Sequence, residues 1–247
     1  METNKSPIVE YLKQVEKDRL LPHFLPFKRL EEATSSAGGT GLKYSLDSFS
    51  INTRVAPSIA SAIMNMKNLR SMSLIDTMLH EEAFLIILET TPRTLTSLNL
   101  SNNEHLTAKC YSVLHKFDSL AHLTLEKCNI NDEILNLLLD LDPLGLSPEP
   151  IKVIKGSLSP TKRGTTSAKG LRKLKSKLSS SFGAITEVDE EPEFTLSGLV
   201  TSLRLFNASK NRISDVGAGL LARFLEKSDM LETLLMHWNK IRGKGAI

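Results

Sequence analysis

Cysteine is scarce in this chain, and so are long apolar runs and the punctuation of catalytic motifs. Two cysteines in 247 residues make no disulfide framework. Cys110 and Cys128 also lack the second ligand pair that a zinc site needs. The longest apolar run, around FLIILE, is too short to span a bilayer. The opening METNKSPIVEYLKQ has no apolar centre of a signal peptide. Without secretion, the sequon Asn207-Ala-Ser209 carries no meaning. TSSAGGTGLK has the glycines of a phosphate loop, but Leu42 follows Gly41 where that loop needs lysine. In HEEAF, Phe84 stands where a zinc-protease helix places its second histidine. The six histidines are scattered, and no nucleophile stands at a telling spacing from a base. These absences argue against an enzyme and against a bound cofactor or metal.

What is present is repetition. LRLFNASKNRISDVGAGLLARFLEKSD and LETLLMHWNKIRGKGAI share the order Asn, one residue, Ile, three residues, Gly. The positions are Asn211, Ile213, Gly217 and, 28 residues later, Asn239, Ile241, Gly245. Apolar residues at Leu203, Phe206, Ala208 and at Leu231, Leu234, Met236 complete the pattern L-x-x-L-x-L-x-x-N-x-L. A short strand can then point alternate side chains into a core, and the Asn amide can satisfy backbone groups where the chain turns away. The glycine is expected to permit a tight turn into a helix that buries Leu221 and Leu225. The pattern recurs upstream at Leu95, Leu98, Leu100 and Asn103, with Leu106 displaced by one residue. It recurs again at Leu120, Leu123, Leu125, Cys128 and Ile130, which gives Cys128 a structural place. Looser copies run through Leu69, Met72, Leu74, Leu79 and through Tyr44, Leu46, Ile51.

With these positions and the helical half GAGLLARFLEKSD, the chain resembles the ribonuclease-inhibitor type of leucine-rich repeat. That type alternates Asn and Cys in the slot held here by Asn103, Cys128, Asn211 and Asn239. The resemblance implies an α/β solenoid, a horseshoe with a parallel sheet on its concave face and helices on its convex face. It extends over residues 41–141 and 196–247. Residues 1–40 read as a helical cap and linker, with Ile8, Tyr11, Leu12 and Val15 at helical spacing, Ser6 as N-cap and Pro7 in the first turn. This lead-in resembles that of axonemal and ciliary leucine-rich-repeat proteins and of leucine-rich-repeat regulatory subunits of protein phosphatase 1. NLSNNEHL looks like the latter and HWNKIRGKGAI like the former.

Repeats therefore occupy residues 41–146 and 196–247. The last is incomplete, so its strand edge and apolar flank are expected to be left open or paired with something else. Between them, residues 147–195 are rich in Ser, Pro, Lys and Gly, the composition of a segment that cannot repay its own ordering entropy. A disordered insertion is the main reading, and two decayed repeats are the other. Residues 147–185 hold nine Lys/Arg against one Glu, and residues 186–193 hold five acidic residues. The net charge of +3 is thus mostly a property of this segment, and no nucleic-acid groove is expected elsewhere. Ser147 and Ser159, each before proline, are candidate phosphorylation sites. In residues 169–182, Leu171, Leu174 and Leu178 fall on one side of a helix among basic residues, a weak candidate for an acidic membrane surface.

Known horseshoes of this kind hold other proteins, so the expected function is a non-enzymatic interaction scaffold. The resemblance implies a cytoplasmic setting, with the cytoskeleton or cilium as candidate places. A regulator of an enzyme is the alternative: a phosphatase 1 subunit, or an activator of a Ran-type GTPase. Lys152-Val153-Ile154-Lys155 lacks the terminal aromatic that a phosphatase docking peptide would carry. The outward strand positions and the residues just beyond them are the expected contact surface. Those chosen are Arg70, Asn99, His122, Glu126, Lys127, Arg204, Lys210, His237 and Trp238. Ser209, Asn207 and Leu235 share that outward parity. The parity of Leu234 and Met236 offers Trp238 a second place, in the core at the unfinished end.

Overall fold

Apolar residues two apart lie on one side of an extended chain, and at six such places this chain is extended. The computed structural model describes residues 6–35, 41–139, 202–243 and 245. Met1–Gly145 and Leu196–Ile247 form one unit; the other, Leu146–Thr195, lies outside the described residues. Outside them too lie Ser147, Ser159 and the basic stretch 169–182.

The strands are β1 (Leu42–Ser45), β2 (Leu69–Ser73), β3 (Ser97–Asn99), β4 (His122–Thr124), β5 (Leu205–Asn207) and β6 (Thr233–Leu235). They form one six-stranded sheet, all parallel, in chain order. Register aligns Tyr44, Met72, Leu98, Leu123, Phe206 and Leu234 in one row across it. The first five are buried, as are Leu46, Leu74, Leu100, Leu125 and Ala208 two residues further on. Leu234 and Met236, on the last strand, are only half-buried.

Seven helices have their bounds among the described residues: α1 (Pro7–Lys17), α2 (Phe24–Ser35), α3 (Ala56–Met64), α4 (Glu81–Thr90), α5 (Ala108–Ser112, continued by a 3-10 turn Val113–Lys116), α6 (Asp132–Leu139) and α7 (Asp215–Lys227). Helices α3 to α7 pack on one another in chain order, α1 packs on α3, and α2 lies against β1. Helix α1 starts at Pro7 with Ser6 at the N-cap position, although the Ser6 side chain makes no capping bond. Tyr11 and Val15 are buried, and the Tyr11 hydroxyl accepts from His23 N at 3.1 Å. Of the apolar residues at helical spacing, Leu12 is exposed, because the buried side of the helix runs through Tyr11 and Val15.

Helix α7 corrects two expectations. Its buried stripe is Gly217, Leu220, Leu221 and Phe224, so Leu225 falls outside it and is exposed. Gly217 sits inside the helix and is there for close approach. A Cβ on it would lie 2.4 Å from both Asp132 Oδ1 and Ile213 Cγ2. Gly245 repeats the arrangement one unit on, against Asp215 Oδ1 at 2.6 Å and Ile241 Cγ2 at 3.1 Å. Each aspartate is tied to the following unit: Asp132 Oδ1 accepts from Ser214 N, and Asp215 Oδ1 from Arg242 N. Gly217→Ala should therefore cost about 1–3 kcal/mol through overpacking. Gly219→Ala, with nothing within 4 Å of its Cβ, should stabilise by about 0.5–1 kcal/mol on helix propensity alone. Urea unfolding of the two variants checks this. The same sign for both would contradict the packing argument.

Candidate partner-binding face

Leaving the sheet requires a sharp change of direction, and all six strands use one device. A residue in the left-handed region comes first: Ser48, Asp76, Asn102, Lys127, Lys210 or Trp238, with φ between 55° and 61°. Five of these residues donate their backbone N–H to the next unit: Ser48 to Ile75 O, Asp76 to Ser101 O, Asn102 to Glu126 O, Lys127 to Ser209 O and Lys210 to His237 O. The surroundings impose the conformation whatever the residue type, and this is how such backbone strain persists.

The residue that follows turns inward. Asn103 Oδ1 accepts from Thr77 N at 3.2 Å and Leu79 N at 3.1 Å, and its Nδ2 donates to Leu74 O and Leu100 O. Asn211 Oδ1 accepts from Cys128 N and Ile130 N, both at 3.0 Å, and its Nδ2 donates to Leu125 O, Ala208 O and Ser209 O. Asn239 Oδ1 accepts from Ile213 N, and its Nδ2 donates to Ala208 O and Met236 O. Each amide thus sews its own turn to the preceding one, using both its acceptor and its donors. Cys128 fills the same slot, its thiol donating to Leu100 O at 3.1 Å. Burial pushes that thiol up to about 12, so it stays protonated at neutral pH.

The opposite side of each strand carries the polar residues. Arg70, His122 and Arg204 are exposed there. Arg70 Nη1 donates to Thr94 O at 3.1 Å, and Arg204 pairs with Glu232 at 2.7 Å. Lys210 meets Glu126 at 2.8 Å and Lys127 meets Glu104 at 3.4 Å. The Lys210 ammonium holds the Glu126 carboxyl below the usual carboxylate range. All three ion pairs join neighbouring units, and exposed pairs of this kind contribute at most about 1 kcal/mol each.

Three outward positions are less available than their parity implies. Asn99 is half-buried, its Oδ1 accepting from Ser101 N at 3.0 Å and Ser101 Oγ at 2.7 Å. Asn207 is buried, its Oδ1 turned to Ser209 N. Ser209 is fully buried, with its hydroxyl 2.9 Å from His237 Nδ1. Ser209 and His237 have the pairing of a nucleophile and a base, but a hydroxyl with no exposed surface cannot reach a substrate carbon. Among the described residues no group of three or more His, Cys, Asp or Glu could hold a metal, and no helix is long and apolar enough to cross a membrane. Cys110 and Cys128 are both buried free thiols.

The chain matches no family model and no curated protein.

Trp238 corrects the reading that would bury it. Its side chain is 79% exposed. Parity counted from Leu234 and Met236 fails because Trp238 is itself the left-handed residue, which rotates its side chain out of the sheet alternation. Sequence reasoning passed over Glu104, Asn129 and Arg212, which lie two residues beyond the left-handed positions. Counting onward from the Asn slot, one residue further, reaches all three. Trp238→Gly is expected to leave stability equal or up to about 1 kcal/mol higher, because glycine adopts this φ without strain. Thermal unfolding decides it, and a loss above roughly 2 kcal/mol would mean that the indole packs on the chain.

Proposed function

We propose that this chain is a leucine-rich-repeat solenoid of the ribonuclease-inhibitor type, a scaffold that holds a partner protein on the polar, concave side of its sheet. The observation that carries the reading is the recurring turn. Six strands leave the sheet through a left-handed residue, and the next position is Asn103, Cys128, Asn211 or Asn239 in four of them. A device of that regularity builds a stack of equivalent units, and such stacks present long surfaces suited to macromolecules. The face supports the same reading. It is polar, mixed in sign and laced with weak pairs, the character of a non-obligate protein contact.

The test uses the tagged full chain in native extract with chemical crosslinking. Wild type and Arg223→Glu, a change on the exposed side of α7, should retain the same partners. The double variant His122→Glu/Arg204→Glu should lose them. Retention of the full partner set by the double variant would overturn the proposal.

A further inference from the structure

Beyond the carboxyl ends of β3 to β6 the turns line an open cavity of about 550 Å3, bordered by Glu104, Lys127, Asn129, Lys210, Arg212 and Trp238. This volume is of ligand-pocket size, about 300–1,000 Å3. It has room for a few side chains and not for a folded domain.

The charges narrow what can enter. Lys127 and Lys210 are already matched by Glu104 and Glu126. Among the described residues Arg212 forms no ion pair, and only its backbone N–H is bonded, to Ile130 O. The cavity therefore has, among the described residues, one uncommitted cation, a planar fork that takes a carboxylate through two parallel hydrogen bonds. A nucleic acid strand would need several free cations to neutralise its phosphates. The second feature is the indole. Trp238 is the sole tryptophan, mostly exposed, and held at a φ of 59° that costs free energy for a bulky residue. No apolar side chain among the described residues covers the ring, which leaves its face open to an apolar group.

We propose that this cavity binds a short peptide segment in which an Asp or Glu adjoins a bulky apolar residue, the carboxylate on Arg212 and the apolar side chain on Trp238. The inference rests on the protein-binding reading above and gives that partner its chemistry. It concerns the turns and not the strand face, so the two can fail separately.

Because Trp238 is the only tryptophan, its fluorescence in the full chain reports the site directly. The probe is an acetylated, amidated peptide of sequence EEDLFEE, with KKKLFKK and EEDSGEE as controls. EEDLFEE should change the emission saturably, and neither control should. Isothermal titration calorimetry should show Arg212→Glu and Trp238→Ala each weakening binding about tenfold or more. Arg212→Gln, which introduces no repulsion, should weaken it in the same direction. Failure of EEDLFEE to bind overturns the inference, as does equal binding of KKKLFKK or an unchanged affinity in Arg212→Glu. Displacement of the peptide by a single-stranded oligonucleotide at lower concentration also overturns it, and assigns the cavity to phosphate. If the peptide fails while partner capture still depends on His122 and Arg204, only this inference falls.

Discussion

Asn211→Ala should destabilise the protein by about 3–5 kcal/mol, far more than a typical single substitution. The side chain is buried and makes five hydrogen bonds to backbone groups of two turns. Removing it strands the N–H groups of Cys128 and Ile130, which have no other acceptor among the described residues, and each such buried group costs about 1–3 kcal/mol. Asn211→Asp should be no better, since it keeps the acceptor but turns a carboxylate oxygen toward the carbonyls of Leu125, Ala208 and Ser209. Asn239→Ala provides the internal comparison. Asn239 is half-buried on the last turn and serves a single N–H, that of Ile213, so about 1–2 kcal/mol is expected. Urea unfolding followed by far-UV circular dichroism measures all three. Equal losses at 211 and 239 would refute the account of the amide ladder.

Phe206→Ala should cost about 3–5 kcal/mol, because it opens a cavity that its neighbours cannot fill. Phe206 has no exposed surface and stands in register between Leu123 on one side and Leu234 on the other. The same truncation at Leu234 removes a half-buried side chain on the edge strand, where solvent can occupy the gap. A loss of about 1–1.5 kcal/mol is expected there, half of a full burial. A Leu234→Ala loss as large as that of Phe206→Ala would show that the edge is packed by something beyond the described residues.

The strands were legible because their demand on sequence is local. Two inward residues and one amide suffice, and even the weakest copy, Tyr44, Leu46 and Ile51, buries all three side chains. The displaced Leu106 is also buried, its extra residue taken up in the turn at Glu104 and His105. Side-chain direction just past each strand was not legible. Alternation ends at the left-handed residue, so Trp238 points out where counting points in. Asn207 and Ser209 have outward parity, but their short polar side chains find bonds closer by. The role of Gly217 was hidden for another reason: the atom it makes room for, Asp132 Oδ1, belongs to a helix 85 residues earlier in the chain. The cavity at Arg212 required knowing that four successive turns lie side by side.

The pairing of β4 with β5 has a kinetic consequence. Partners in the other joints are separated by 25 to 28 residues, but Leu123 and Phe206 by 83. In the unfolded chain the longer closure costs roughly 1 kcal/mol more entropy, since that cost grows with the logarithm of separation. The joints from β1 to β4, and that between β5 and β6, can close before this one. The β4–β5 joint is then expected to close last in assembly and to part before the β2–β3 and β3–β4 joints under native conditions. Amide exchange at Leu125 N and Arg204 N, which bridge it, should run ahead of exchange at Leu74 N and Leu100 N. Protection of Leu125 equal to that of Leu100 would place the nucleus across β4 and β5 instead. Neighbouring strands that look equivalent in the finished sheet thus meet at different times while it forms.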